Sequence, residues 1–260
     1  MRQISIIGGG PAGLGVAFYS EENGLSYELY ESNDILGGNC ITYRENDFYF
    51  DSGAHRLHDK DKPTTELFIR LLKNDLKLIN VPSQIFRDEK FIDFPISPYN
   101  LIRYLGFTNC VIEGFKILFR KRSKEFNFKS LAENKYGKKI SKLFLLEYTE
   151  KLWGEKPENL SINIAGKRLK GLNIQTLIIE ILFGKKRKTK HLDGCFYYPK
   201  YGIGTLFEKL EIQLDKGSIH KNSLVTKIKH NNQHILEIEI NGTEKKKVKN
   251  LISSMPINKF

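Results

Sequence analysis

The stretch "ISIIGGGPAGLGVAFYSEENGLSYELYES", residues 4–32, decides the fold. Its first residues, 4–7, have the pattern of a short buried strand that ends at glycines. From Leu14 to about Glu22 the chain has the pattern of a helix, and a second strand follows over 26–31. Strand, glycine turn, helix and strand in this order predict a βαβ unit of a parallel sheet.

The glycines between the first strand and the helix form G-x-G-x-x-G at Gly8, Gly10 and Gly13. The first permits a tight turn, the second lets backbone approach a pyrophosphate, and the third allows the helix to pack closely on the strand. The helix N-terminus would direct N–H groups at the phosphates, and a carboxylate at the end of the second strand would accept hydrogen bonds from ribose hydroxyls. The residues predicted to bind a dinucleotide here are Gly8, Gly10, Pro11, Ala12, Gly13, Glu31 and Ser32.

The next residues, "ESNDILGGNCIT" at 31–42, indicate which dinucleotide. With the preceding unit they resemble the FAD-binding signature of glutathione-reductase-like flavoproteins, in the branch of flavin amine oxidases, protoporphyrinogen oxidase, phytoene desaturase and UDP-galactopyranose mutase. The resemblance implies FAD as cofactor, with further contacts from Gly37, Gly38 and Asn39, the last at a position where arginine is commoner in the family. An acid at Glu31 also argues against NADP, whose 2′-phosphate it would repel.

The segment "FYFDSGAHRLHD", residues 48–59, resembles the family segment that runs beside the flavin ring. The resemblance implies that Gly53, Ala54 and His55 lie near the isoalloxazine. His58 keeps the spacing of a second histidine found near the flavin in the mutases. His55 and His58 are therefore the candidate catalytic residues, because histidine changes charge near neutral pH and suits a redox-linked switch.

Later segments carry the predicted substrate and adenine contacts. "YTEKLWGEKPENLSINIAGKRLKG", residues 148–171, is similar to a mutase segment and implies substrate binding by Trp153 and by Arg168 at a diphosphate. "YYPKYGIGTLFEKL", residues 197–210, looks like the stretch where the family chain returns to the flavin domain, with Tyr201 as a substrate contact. Val225 would offer backbone contacts to adenine.

The fold class that these observations predict is α/β, a Rossmann-like, glutathione-reductase-type FAD-binding domain with an inserted, mainly helical substrate domain. The flavin domain is expected to be discontinuous, over 1–75 and 192–260, with an incomplete substrate or cap domain over 76–191. Within these, 64–80 is predicted to be a helix, and 250–256 a fourth parallel strand. Family members continue beyond the position of Phe260, which suggests a truncated product or one half of a split enzyme with a separate C-terminal chain.

Composition restricts the class of protein further. The 260 residues contain three cysteines, which form no C-x-x-C pair, and this pattern predicts neither a disulfide framework nor a metal site. No signal-peptide pattern is present, and a cytoplasmic location is expected. The net charge is +12, and many of the basic residues lie in short runs, which we interpret first as solvated surface. Nucleic acid is not expected as a partner, since no nucleic-acid motif accompanies these runs.

One basic run has a second interpretation. Four apolar residues stand directly before Arg120, Lys121 and Arg122, namely Phe115, Ile117, Leu118 and Phe119. An amphipathic helix of this kind would suit a membrane surface or a lipid-linked substrate.

Three functions remain open from the sequence. The first is an FAD-dependent oxidoreductase of the amine oxidase and protoporphyrinogen oxidase group, acting on a small molecule. The second is an isomerase like UDP-galactopyranose mutase, acting on a nucleotide sugar for cell-surface polysaccharide. The third is a non-catalytic FAD-binding fragment or one half of a two-chain enzyme.

Overall fold

The computed structural model describes residues 4–81, 83–94, 98–119, 123–165 and 195–259. The chain divides into two compact units. Unit 1 comprises Met1–Asn80 and Cys195–Phe260, and unit 2 comprises Val81–Gly194.

Unit 1 contains the glycine-rich segment and has mixed α/β structure. Its elements before the insertion are β1 (Ile4–Ile7), α1 (Pro11–Glu22), β2 (Tyr27–Tyr30), β3 (Thr42–Glu45), β4 (Phe48–Asp51), α2 (Lys62–Leu72) and β5 (Leu76–Asn80). In unit 2 follow β6 (Ser83–Arg87), β7 (Lys90–Phe94), α3 (Pro98–Leu105), α4 (Phe107–Phe119), α5 (Phe128–Tyr136), α6 (Lys138–Ser141) and α7 (Glu147–Trp153). The chain then returns to unit 1 with β8 (Cys195–Pro199), α8 (Gly204–Glu211), β9 (Ile219–His220), β10 (Val225–His230), β11 (Ile235–Ile240), β12 (Glu244–Lys247) and β13 (Leu251–Ser253).

The central sheet of unit 1 is parallel, with the strand order β13-β1-β2-β9. Ile6 pairs with Leu29 in register, and both are completely buried against α1 and α8. On the other face, Tyr30 packs with Ile238 and Ile240 of the antiparallel sheet β10-β11-β12. A parallel sheet needs cover on both faces, and helices supply it on one side and a second sheet on the other. The predicted fold class and the predicted parallel strand within 250–256 are confirmed.

One predicted helix is partly wrong. The pattern over 64–80 predicts a continuous helix, but α2 ends at Leu72, and Lys73 has a positive φ of 48°. Residues Leu76–Asn80 instead form β5, which pairs antiparallel with β8. The partner strand lies far away in the sequence, so the local pattern of leucines could not reveal this pairing.

The described part of unit 2 consists of the β6–β7 hairpin and helices, as predicted for a mainly helical inserted domain. Asn127 caps α5 by accepting a hydrogen bond from the Ser130 amide at 2.8 Å. Arg87 forms an ion pair with Glu147 at 2.8 Å, and this hydrogen bond raises the pKa of Arg87 above its ordinary value.

Among the described residues, no helix is both long enough and apolar enough to cross a lipid bilayer.

Candidate functional site

The turn between β1 and α1 is built around two glycines that no other residue could replace without movement. Gly8 has a φ of +96°, in the region that side chains rarely adopt. A Cβ atom on Gly13 would lie 1.9 Å from the carbonyl oxygen of Gly8. The start of α1 therefore packs directly on the end of β1, as the motif predicts.

The middle glycine has a different environment. Gly10 is the N-cap of α1, its backbone is extended, and none of the described side chains caps the helix at this end. A Cβ on Gly10 would meet only the Gly38 Cα, at an ordinary 3.8 Å. The space beside Gly10 is thus open, and the first turn of α1 can offer backbone N–H groups and its positive dipole end to an anion.

A second glycine pair lies against this turn. The Gly37 amide donates a hydrogen bond to the Gly9 carbonyl oxygen at 2.8 Å, and both Gly37 and Gly38 have positive φ. The structure therefore brings Gly37 and Gly38 together with Gly10, as expected for one binding surface. Asn39 follows in the short 3-10 turn Gly38–Cys40 and is exposed.

Glu31 is the central polar group beside the turn. It is only 7% exposed, and its Oε2 accepts a hydrogen bond from the Gly9 amide at 2.7 Å. Its Oε1 accepts from the Ser32 hydroxyl at 3.0 Å and from the backbone and side-chain nitrogens of Asn33, both at 2.9 Å. The carboxylate is thus fixed at the end of β2, next to the glycines.

These donors keep Glu31 ionised. Burial acts to raise the pKa of the carboxyl, but the hydrogen bonds from Gly9, Asn33 and Ser32 outweigh it and leave the pKa below its ordinary value. Gly9 is a residue of this turn that the motif does not mark, since it occupies a variable position of G-x-G-x-x-G. A Cβ there would lie 2.5 Å from Leu36 Cδ2, and only the run of three glycines marks the position in the sequence.

Val225, the predicted adenine contact, lies two residues after a backbone hydrogen bond to Glu31. It begins β10, and its side chain packs with the Tyr30 cluster. Two residues earlier, the Ser223 amide donates to the Glu31 carbonyl oxygen at 2.7 Å. The segment before β10 therefore passes beside Glu31, while the edge of β2 that does not pair with β1 pairs with β9.

Asp51 organises a second part of the site. Its side chain is 4% exposed and accepts hydrogen bonds from the Thr42 hydroxyl at 2.5 Å, the Tyr198 hydroxyl at 2.5 Å and the Ile203 amide at 3.1 Å. The Thr42 hydroxyl oxygen in turn accepts from the Gly204 amide at 2.8 Å. Burial and the bond to Asp51 raise the pKa of Tyr198 well above its ordinary value. Asp51 and Thr42 thus accept hydrogen bonds from two backbone amides at the N-terminus of α8, those of Ile203 and Gly204.

The two glycines of the segment 197–210 let the start of α8 lie close to Thr42. A Cβ on Gly202 would lie 2.3 Å from the Thr42 side chain, and one on Gly204 would lie 2.8 Å from the Thr42 amide nitrogen. The close approach at these two glycines is therefore to Thr42.

We expect Asp51→Asn to destabilise the protein by about 1–3 kcal/mol, because the amide nitrogen would face donors where a carboxylate oxygen now accepts. Chemical denaturation measures the change, and Asp34→Asn, at an exposed residue, is the matched control. Equal stabilities of the two variants would show that the junction does not depend on the Asp51 charge.

The segment after Asp51 lines an open cavity. Its volume is about 330 Å³, and its lining includes Gly53, Ala54, His55, Phe196 and Tyr198. The Nδ1 atom of His55 is buried without a hydrogen-bond partner among the described residues, and it lies 3.8 Å from Asp51 Oδ2, beyond hydrogen-bonding distance. This nitrogen is an unsatisfied buried polar atom of a residue that lines the cavity.

The two candidate histidines line different cavities. His58 belongs to a neighbouring cavity of about 260 Å³, together with Lys60, Asp61 and Tyr197. Its ring lies 6.3 Å from that of Phe196. The structure therefore places only His55 in the cavity with Gly53 and Ala54.

The predicted substrate residues are placed as follows. Trp153 ends α7 in unit 2 and is 55% exposed. Tyr201 belongs to unit 1, where its ring lies 5.7 Å from that of Tyr49 and beneath Lys200 Nζ at 4.9 Å. Arg168 lies outside the described residues. In the described part of the chain, no group of three His, Cys, Asp or Glu side chains is arranged to hold a metal ion.

The bare backbone at the start of α1, the ionised acid at the end of β2 and the parallel sheet together have the geometry of a Rossmann-type fold. Residues 6–71 match the family described as "NAD(P)-binding Rossmann-like domain".

Solved structures extend the similarity over the whole chain. A reduced UDP-galactopyranose mutase superposes with a TM-score of 0.81 at 20% identity, covering 100% of this chain and 56% of the mutase chain. Cyclohexylamine oxidase from Brevibacterium oxydans IH-35A gives a TM-score of 0.65 at 14% identity, with 98% and 58% covered. These two neighbours show that the chain shares their fold.

A curated relative matches over a short segment. Ferredoxin--NADP reductase 3 of Lysinibacillus sphaericus (strain C3-41) is 55% identical over 42 residues, which is 16% of this chain and 12% of the reductase. The chain thus spans a small part of that relative, and a little more than half the length of the solved chains.

Proposed function

We propose that the protein binds FAD along the β1–α1 turn and takes part in flavin-dependent oxidation or reduction of a small molecule. One observation carries the proposal: an ionised, almost buried Glu31 bound to the Gly9 amide, directly beside the uncapped start of α1. This arrangement offers an acceptor for ribose hydroxyls and N–H donors for the pyrophosphate within a few residues of each other.

The residues present fit the cofactor. No side chain obstructs a phosphate beside Gly10, and Gly38, where a Cβ would lie 3.0 Å from the Gly10 Cα, keeps the facing backbone free of a side chain. We assign the flavin ring to the open cavity lined by Gly53, Ala54 and His55. The Nδ1 atom of His55 has no hydrogen-bond partner among the described residues. When bound, FAD supplies hydride or electron transfer. In this proposal the chain itself binds the adenosine and pyrophosphate and lines one side of the reactive ring.

A second candidate is a flavin-dependent isomerase acting on a nucleotide sugar. The higher TM-score with the mutase, 0.81 against 0.65 for the amine oxidase, favours it at the level of the fold. Its substrate diphosphate would need a cation such as Arg168, with Trp153 and Tyr201 as further contacts.

We expect Gly10→Ala to weaken FAD binding by about tenfold or more while leaving the fold intact, because a methyl group would occupy space reserved for the pyrophosphate. The backbone of Gly10, with φ of −74° and ψ of −178°, is allowed for alanine, and its Cβ would clash with no protein atom. Titration of the purified protein with FAD, followed by flavin fluorescence, gives the affinity. Gly15→Ala, in the same helix with nothing within 4 Å of its Cβ, is the matched control.

Equal affinities of the Gly10→Ala and Gly15→Ala proteins, or no uptake of FAD by the folded parent, would contradict the proposal.

Once binding is established, substrates distinguish the two functions. Reduction of the bound flavin by an amine supports the oxidoreductase, and tight binding of a UDP-sugar supports the isomerase.

A further inference from the structure

Helix α4 in unit 2 presents apolar side chains to solvent. Phe107, Val111, Phe115 and Phe119 follow one another at intervals of one helical turn, and Ile112 lies beside them. Their exposed fractions are Phe107 69%, Val111 41%, Ile112 49%, Phe115 58% and Phe119 83%. We call these five residues the α4 apolar face.

The opposite side of α4 faces the interior of unit 2. Cys110 packs on the buried cluster that contains Leu101 and Phe144, and Glu113 is only 7% exposed. Glu113 is held by Lys116 at 2.9 Å. The helix therefore turns a carboxylate inward and its phenylalanines outward, which is the reverse of an ordinary surface helix. Burial against the described residues of unit 2 does not account for the α4 apolar face.

Positive charge accompanies this face in the sequence. Lys116 on α4 is 66% exposed, the run 120–122 is "RKR", and Lys124 follows. The whole chain carries +12. Phe126, after the basic run, is 89% exposed. Aromatic side chains beside lysine and arginine are the composition of helices that lie in the interface of an anionic bilayer.

We propose that the α4 apolar face docks on the surface of an anionic lipid bilayer, with the helix lying in the plane of the interface. The phenylalanines insert among the upper acyl chains, which removes an exposed apolar patch from water. Lys116 and Lys124 contact the negative headgroups, so the positive charge favours anionic membranes and the buried apolar area stabilises the bound state.

Sedimentation of the full chain with lipid vesicles tests this. The parent should sediment with vesicles of equal parts phosphatidylcholine and phosphatidylglycerol, and much less with phosphatidylcholine alone. Phe115→Ser combined with Phe119→Ser should weaken the binding about tenfold or more, because two inserted aromatic rings are lost. The matched control is Phe48→Ser with Phe50→Ser in unit 1, where the side chains are 74% and 54% exposed. It should bind like the parent.

A spectroscopic variant provides a second measurement if the double substitution impairs folding. Trp153 is the single tryptophan, so Phe115→Trp in a Trp153→Phe background reports on α4 alone. Its emission should shift to the blue when anionic vesicles are added. Any of three results would overturn the proposal: no sedimentation of the parent, equal effects of the two double substitutions, or self-association that depends on Phe115 and Phe119 without vesicle binding. The last would assign the face to a second copy of the chain.

Discussion

Glu31→Gln is expected to weaken FAD binding by about 10- to 150-fold, the equivalent of about 1.5–3 kcal/mol for hydrogen bonds to a charged acceptor. Both oxygens of Glu31 already accept hydrogen bonds, from Gly9 on one side and from Ser32 and Asn33 on the other. A glutamine would turn an N–H₂ group toward one of these donors. The change therefore removes the charge that would hold the ribose and also disturbs the turn, and titration with FAD measures the combined loss.

The same substitution has an effect on stability that depends on pH. Because the pKa of Glu31 is lower in the folded protein than its ordinary value, ionised Glu31 stabilises the fold. This contribution is complete above the ordinary glutamate pKa of about 4.3 and is lost as the pH falls through the lowered value. Urea unfolding should show a difference between parent and Glu31→Gln that is largest at neutral pH and shrinks in acid.

Glu45→Gln, at an exposed position of β3, is the control for both measurements. It should leave FAD affinity and the pH dependence of unfolding unchanged. If Glu31→Gln behaved in the same way, the carboxylate would have no role at the turn, and the proposed FAD site would lose its main support.

Gly13→Ala is expected to have the largest effect on folding, a loss of about 3 kcal/mol or more. The new methyl group would lie 1.9 Å from the Gly8 carbonyl oxygen and 3.1 Å from the Gly8 carbonyl carbon. Both are backbone atoms of the turn, which cannot rotate away as the end of a side chain could. Helix α1 would have to move off β1, and FAD binding should fail together with stability.

The Gly15→Ala variant isolates this clash from helix propensity. It lies two residues further along α1, where a Cβ meets nothing within 4 Å, and alanine should stabilise the helix by up to about 1 kcal/mol. Chemical denaturation of both variants gives the comparison. A Gly13→Ala protein as stable as Gly15→Ala would mean that α1 does not pack closely on β1 at this glycine.

The sequence by itself determined the βαβ unit and the position of its acid. Gly8, Gly13 and Glu31 act within a single local unit, so their spacing carries the geometry of the turn. The sequence also predicts a fourth parallel strand within 250–256, and the structure shows that this strand pairs with β1.

Tertiary structure alone decided the rest of the candidate site. It turned residues 76–80 into β5, because β8 supplies backbone partners that the local leucine pattern does not reveal. It placed His55 and His58 in the walls of two different cavities. It also brought Asp51 to the N-terminus of α8, where its carboxylate accepts a hydrogen bond from the Ile203 amide. Each of these outcomes depends on groups distant in sequence, and a periodicity that reports only on neighbouring residues contains no information about which distant strand, helix end or cavity a side chain will meet.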